Sequence, residues 1–516
     1  MLGTDVGRRL CISGKKLFRR VILLQDNEKS TWKKELPVNK GDWKDSPLGL
    51  IVLGLEMLLI CFGATVLVPL MTGINVSIVL FSAGVATIFF HFLTKYKSTN
   101  GAVPIFLGSS FAYLPAIFGA QSEGYGMPAI FFGLACAGLG KIIFSRVIKI
   151  WGSDLIKKTL FPPVVVGSII AVIGLNLVPV GVGMARGDAD ARSARKYAVE
   201  VAEGRRLSSS QQSLLCAQVS QAGYLSKAEV AAIPAFERDQ YLSRLVLEDP
   251  DGYFSMNCYA GLFAVITLLV AVVVMTCLRG VIRLLPVIIG VAAGYVLVLI
   301  FGRVDFAPFH QAAWFSFPEF TAIEVDFSAA FFILPFVVGP VVEHFGDIMA
   351  VGSAVEKDFF QSPGVDRTML GDGIGTLFGG LIGSVPNTSY SEGVSALNIL
   401  RIKNPKVMLI AGIFAVLLSF VQKIAGLLQT IPTCVLGGIM VVIFGGIAVI
   451  GLSTYVREKV DFSNARNIVI AAIMLVVGIG NVSFEWGQFK LSGIGLAAVL
   501  GVLLNLVLPH RLPEDE

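Results

Sequence analysis

Apolar positions in this chain come neither in strict alternation nor in narrow amphipathic stripes. They come in blocks about 20 residues long, the length a helix needs to cross roughly 30 Å of hydrocarbon, set off by short charged or Gly/Pro-rich breaks. Reading block by block predicts fourteen spans. Seven lie near 47–71, 76–95, 102–120, 127–150, 159–183, 256–278 and 281–302, and seven near 328–353, 368–385, 386–401, 406–427, 432–453, 464–480 and 491–509. Residues 1–46 hold 11 Lys+Arg and no apolar core, which reads as a basic tail and not a cleaved signal. The remaining polar stretches are 184–253, the loop 303–327 and the end 510–516. The pattern therefore divides into a tail (1–46), spans 1–5 (47–183), an insertion (184–253), spans 6–7 (254–302), a loop (303–327), spans 8–14 (328–509) and a second tail (510–516).

Composition narrows the class. The chain of 516 residues is 55% hydrophobic and 15% charged, with a mean hydropathy of +0.76, whereas soluble domains carry about 25% charged residues. That excludes a soluble enzyme and a disordered, collagen-like or disulfide-stapled protein, and leaves an all-α polytopic membrane protein. The net charge of +5 is no sign of nucleic acid, because the cations mark alternate loops: Lys95 and Lys97, Lys157 and Lys158, Arg279 and Arg283, Lys357 and Arg367, Arg401 to Lys406, Arg457 to Arg466, then Arg511. The intervening short loops carry only Arg303, Lys423 and Lys490. By the positive-inside bias, both termini face the cytoplasm and 184–253 lies outside, as a small cap or tolerated insertion or, alternatively, a substrate-gating lid, with Asp190–Glu203 and Lys227–Leu245 as candidate short amphipathic helices. The seven cysteines show no metal spacing and read as small core residues.

Two features suggest an inverted repeat, a hallmark of secondary transporters. Phe161-Pro-Pro-Val-Val-Val-Gly167-Ser-Ile169 at the fifth block matches Ile431-Pro-Thr-Cys-Val-Leu-Gly437-Gly-Ile439 at the twelfth, and an offset of seven spans would invert one copy. The third and tenth blocks, Pro104 to Pro115 and Gly383 to Gly393, are too broken by Pro, Gly, Ser and Asn to be continuous helices. Irregular backbone at membrane depth belongs where it is buried or lines a cavity, so these segments predict a binding site for a polar small molecule.

Carboxylates inside such blocks are expensive and need a reason. Glu343 and Asp347 stand four apart, on one helical face; Glu392 lies in the broken tenth segment; Glu56 sits midway along the first. Buried carboxylates of this kind accept N–H donors from a planar heterocycle and carry protons. Asp372 reads as a solvated or capping residue, and His344, turned about 100° from Glu343 on a helix, as a packing or hydrogen-bonding group. Nothing resembles a phosphate loop, a nucleophile triad or a metal cluster, so neither catalysis nor a cofactor is expected.

The chain resembles the nucleobase/ascorbate transporter family (nucleobase–cation symporter-2), most of all its bacterial uracil:proton permeases. The resemblance rests on Phe62-Gly-Ala-Thr-Val-Leu-Val-Pro69, Leu107-Gly-Ser-Ser-Phe-Ala-Tyr113, Phe161-Pro-Pro163, Trp314-Phe-Ser-Phe-Pro318, Glu343-His-Phe-Gly346, Gly371-Asp-Gly373 and Pro386-Asn-Thr-Ser-Tyr-Ser-Glu392. It implies two inverted seven-span repeats, with spans 1–4 and 8–11 as a core domain and 5–7 and 12–14 as a gate domain. The third and tenth segments would pair as short strands. It implies that Glu343, Glu392, Ser391 and Phe111, with Tyr390 adjacent, bind the base, and it fits proton coupling through Glu343, Asp347 and Glu56. A multi-pass protein of the bacterial inner membrane is expected, with a nucleobase and a proton as partners, a homodimer through the gate domain, and no nucleic acid. Three positions depart from the family pattern: Glu56-Met57 in place of Gln-His, Asp347 where uracil permeases carry histidine, and Gly393 after Glu392. Glu392 favours uracil over purines, and Asp347 points toward purine members. A xanthine or sodium-coupled symporter is the alternative, with an anion transporter or channel of the same fold, and an intramembrane enzyme or receptor, behind it.

Overall fold

The computed structural model describes residues 43–152, 160–186, 258–302, 306–486 and 489–509, together with Val304 and a few residues between 201 and 244. The expectations for the basic tail before Trp43, for the end 510–516 and, save one helical turn at 240–244, for the 184–253 insertion lie outside the described residues. Of the described residues, 43–50 fall in one unit and those from 51 to 509 in another.

Each predicted block holds a helix or a strand–helix unit. In the first half these are α1 (Pro47–Thr72), α2 (Val76–Lys95), β1 (Leu107–Ser109) followed by a 3-10 turn and α3 (Leu114–Ser122), α4 (Met127–Trp151), α5 (Pro163–Arg186), α6 (Cys258–Cys277) and α7 (Pro286–Ile300). After the short α8 (Ala307–Gln311) come α9 (Phe327–Ile333), α10 (Val338–Val355), α11 (Val365–Leu381), β2 (Asn387–Ser389), α12 (Ser391–Leu400), α13 (Lys406–Ser419), α14 (Gln422–Gln429), α15 (Thr433–Arg457), α16 (Ala465–Ile479), a hairpin β3 (Ser483–Trp486) and β4 (Phe489–Ser492), and α17 (Gly493–Val507). Among the described residues seven helices are long and apolar enough to cross a membrane, or eight if α13 and α14, bent by 81°, count as one span. Large apolar side chains such as Leu262, Val265, Leu269, Leu503 and Leu506 stand exposed in rows along α6 and α17. Water would penalise such a surface, and lipid does not.

Lipid supplies little force to press apolar helices together, so close approach falls to small residues. The helices that share the Pro/Gly signature, α5 and α15, pack antiparallel along a glycine-paved seam. A Cβ on Gly451 would collide with the backbone of Ala171, one on Gly174 with the backbone of Ala448, and one on Gly437 with that of Ala185. In the same way Gly138 and Gly380 let α4 and α11 touch, and Gly84 with Gly412 does so for α2 and α13. Counted in blocks, the fifth pairs with the twelfth, the second with the eleventh, the fourth with the ninth, and, through β1 and β2, the third with the tenth. One set of helices (α2, α4, α11 and α13) thus packs around the two strands, and another (α5, α6, α7, α15, α16 and α17) packs on itself.

The seam predicts a graded response to added volume. Gly451→Val lowers stability by about 1–3 kcal/mol, the usual cost of overpacking. Gly446→Val, on the same helix but facing open space, stays within about 0.5 kcal/mol. Thermal unfolding of both variants in detergent reads the difference; equal melting temperatures would reject the seam.

Candidate functional site

β1 and β2 pair antiparallel, with Leu107 opposite Ser389, Gly108 opposite Thr388 and Ser109 opposite Asn387. A two-stranded ribbon leaves both outer edges with unpaired backbone groups, and side chains from the surrounding helices take them up. Thr87 Oγ1 accepts the Leu107 N–H (2.9 Å), Thr376 Oγ1 donates to the Asn387 carbonyl (2.7 Å), and Asp372 Oδ1 accepts the Ser389 N–H (3.2 Å). The Asn387 amide donates to Ser82 Oγ and to the Gly375 carbonyl, at 2.7 and 3.0 Å. Tyr390 ties the strands together: its hydroxyl donates to the Ser109 carbonyl (2.8 Å), and its ring lies where a Cβ on Gly108 would stand. Only glycine fits there.

Each strand runs straight into a helical turn, β1 into Phe111–Tyr113 and β2 into α12, and neither turn has a side-chain cap at its N-terminus. Beside these ends lies a cavity of about 560 Å³, bounded by α10, β2 and α12 on one side and by α5 and α15 on the other. Glu343, Asp347, Glu392, Phe111 and Tyr390 all line it, as do Thr388 and Ser389. Its lining reaches toward the C-terminal ends of α10, α12 and α15, at Ser353, Asn398, Arg457 and Glu458.

Glu343 is half-buried against the cavity, and Asp347, one turn later on the same face, is buried, its Oδ2 accepting the Ser389 hydroxyl at 2.6 Å. Glu392 is exposed to the cavity in the first turn of α12, where the helix dipole favours a negative charge. The Phe111 ring stands edge-on to Phe444 at 6.4 Å, beside the same space. The Ser391 side chain lies outside the described ones. Glu56 is not brought to the cavity: it is half-buried on α1 beside the outward-facing Leu55 and Leu59, and its Oε1 is enclosed without a hydrogen-bond partner. His344 turns away from the cavity, as helical spacing requires, and bonds Thr368 at 3.0 Å. Asp372 is neither solvated nor a helix cap. It is fully buried, 2.6 Å from the ammonium of Lys141.

Three groups escape a reading of the sequence. Thr388 was legible only as part of a broken segment, yet its hydroxyl is buried at the cavity wall with no partner. Ser389 joins two acids, Asp347 through its side chain and Asp372 through its backbone. Lys141 carried a signal that went unused, a lysine within the apolar run of α4. Among the described residues no group of three or more His, Cys, Asp or Glu side chains is placed to hold a metal ion.

The arrangement suits a small planar polar molecule. Carboxylates from α10 and α12 can accept N–H donors, backbone N–H groups at two helical starts can meet carbonyl oxygens, and the Phe111 ring offers an apolar face.

Known proteins resemble the chain in sequence and in fold. A family model described as a permease family (Xan_ur_permease) matches residues 48–222 and 246–485. A probable uracil permease of Haemophilus influenzae is 37% identical over 464 residues, 90% of this chain and 95% of its own length. One from Pasteurella multocida is 38% identical over 457 residues (88% and 93%), and the uracil permease of Escherichia coli K12 is 30% identical over 460 residues (89% and 91%). Among solved structures, murine Slc26a9, an anion transporter in the inward-facing state, superposes with a TM-score of 0.56 at 11% identity, covering 94% of this chain and 74% of that one. The transmembrane domain of the cyanobacterial bicarbonate transporter BicA gives 0.50 at 14% identity, covering 89% and 96%. These two likenesses concern the fold alone. The family match and the relatives, each spanning most of the chain, agree with the motifs around the strand pair: the chain belongs to the permease family, the family of nucleobase and ascorbate transporters.

Proposed function

We propose that the protein is a secondary transporter, not an enzyme, that takes up uracil with a proton across the bacterial inner membrane. The observation that carries this reading is the cavity at the paired strands, with Glu343 and Glu392 on its walls. Uracil is neutral and planar, with two N–H donors and two carbonyls. Glu343 accepts from its N–H groups, Glu392 and the backbone at the start of α12, with Ser391, hold the opposite edge, and Phe111 and Tyr390 bound the ring. The relatives named uracil permease support the choice of base.

Coupling follows from charge. Glu343 and Asp347 stand one helical turn apart, with Glu392 on the same cavity, and acids so close in a low-dielectric site repel one another. A proton on Glu343 relieves that repulsion and travels with the base, as intramembrane carboxylates do in proton-driven carriers. Glu56, away from the cavity, is left out of this step. The symmetric block pairing, second with eleventh and fourth with ninth, supports two inverted seven-span repeats and fourteen spans. The helix set around the strands would then be the core domain, moving against the gate set of α5 and α15 across the cavity. With basic loops inside and both termini cytoplasmic, the cavity opens to the cytoplasm. A homodimer through the gate set completes the proposal.

One observation speaks to the alternatives. Asp347, the residue that resembles purine members, is engaged by Ser389, so it serves the strand before it serves a substrate. Acids at the cavity also disfavour the anion cargo of the fold neighbours, since like charges raise a barrier to anion entry.

Uptake of radiolabelled uracil into proteoliposomes under an inward proton gradient tests the reading. Wild-type protein accumulates uracil, and a hundredfold excess of xanthine leaves uptake unchanged; displacement by xanthine would move the assignment to purines. Glu343→Gln and Glu392→Gln each lose a charged hydrogen bond of about 1.5–3 kcal/mol, roughly 10–100-fold in uracil affinity. Glu343→Gln also abolishes gradient-driven accumulation, while Glu56→Gln keeps it. Full accumulation by Glu343→Gln would reject that residue as the proton carrier.

A further inference from the structure

One charged pair stands outside the cavity lining and has no part in the reading above. Lys141 of α4 and Asp372 of α11 are both fully buried, with Nζ 2.6 Å from Oδ2. The ammonium also donates to Thr376 Oγ1 at 3.2 Å and lies 5.7 Å from the centre of the Tyr113 ring. The other oxygen of Asp372 accepts the backbone N–H of Ser389 at 3.2 Å and is 4.0 Å from His344 Nδ1. From Ser389 the contacts continue through its hydroxyl to Asp347 Oδ2 at 2.6 Å, on the cavity wall. A continuous path therefore runs from a buried ammonium, through a carboxylate and strand β2, to an acid facing the substrate space.

A lone carboxylate in such a place would need a cation. The oxygens of Asp372 and Thr376 flank Nζ, and oxygens of these types also ligate hard cations. Here the chain supplies the cation from its own side chain. We propose that Lys141 is the resident cation of the site and a positioning residue. Its tethered charge holds Asp372 and strand β2 in place without sodium, and leaves the cavity acid Glu343 to bind the charge that travels. This rests on the transport reading given above and adds to it the nature of the coupling ion.

The groups around the pair agree with this division. Tyr113 presents its ring to the ammonium, His344 Nδ1 stands 4.0 Å from Asp372 Oδ1, Thr376 is a second acceptor, and the acids Glu343, Asp347 and Glu392 line the cavity. Lys141 is part of α4 and cannot leave with the substrate.

Two measurements test the proposal, one of them independent of uracil. The first compares uptake in sodium and in N-methylglucamine media at the same proton gradient. The second compares melting temperatures of the purified protein in the same two salts at equal ionic strength. Wild-type protein behaves alike in both media. Lys141→Ala, which removes the ammonium, loses at least tenfold in uptake without sodium, and sodium restores part of the uptake and raises its melting temperature. Lys141→Met/Asp372→Asn removes both charges while keeping the side-chain volumes; it recovers at least a third of wild-type uptake, melts above Lys141→Met alone, and ignores sodium. The proposal is overturned if sodium raises wild-type uptake or melting temperature, if Lys141→Ala transports like wild type or ignores sodium, or if the double variant is no better than Lys141→Met in yield and melting temperature. If wild-type protein carries no uracil, the function proposed above fails, and the melting temperatures still decide the role of Lys141. If the single variants do not fold, folding of the double variant alone supports charge compensation, and its failure overturns it.

Discussion

A backbone that leaves helical geometry at membrane depth must have every N–H and C=O satisfied by protein, because lipid offers no partner. The ribbon of β1 and β2 meets this constraint with only three residues per strand. Its inner edge is strand to strand, and its outer edges are closed by Thr87 from α2 and by Thr376 and Asp372 from α11. The helices around the ribbon are therefore part of its hydrogen bonding, which accounts for polar residues in the middle of otherwise apolar runs.

The same helices can reach the ribbon only because they lie unusually close. Gly138 against Leu377 and Gly380 against Ala135 bring α4 and α11 together at the level where Lys141 meets Asp372. Any larger side chain in that seam would move the ammonium from the carboxylate and, through it, the Ser389 N–H. Small residues in the packing and charges in the site are thus two sides of one arrangement. The second glycine seam, between α5 and α15, builds the opposite wall of the cavity, which carries mostly apolar side chains such as Ile170, Ile173 and Ile447. Polar recognition sits on one wall and a smooth apolar face on the other, a division that suits two bodies sliding past a bound molecule.

Electrostatics inside the site divides by position. Asp372 is paired and enclosed, Asp347 is enclosed but engaged by a hydroxyl, and Glu343 and Glu392 meet the open cavity. Equal residue types thereby acquire different tasks, the first two holding strand β2 and the last two available to a ligand. His344 contributes from behind, joined to Thr368 and 3.4 Å from Ser389 Oγ, and keeps the helix that carries Glu343 in register with the strand.

Much of this was legible in the residues alone, because it depends on local periodicity. Block length marked the helices, Pro and Gly marked the broken segments, and a spacing of four put Glu343 and Asp347 on one face while turning His344 away. What periodicity could not carry was partnership between distant positions. Lys141 and Asp372 are 231 residues apart in sequence, and a lysine in an apolar run reads the same whether it is paired inside or stretched toward the surface. Glu56 reads as an intramembrane acid like the others, and only the packing of α1 set it away from the cavity. Sequence determined which residues needed an explanation, since the cost of a charge or a broken backbone in lipid is local. Tertiary structure decided which of them explain one another, since hydrogen bonds and ion pairs depend on distance in space.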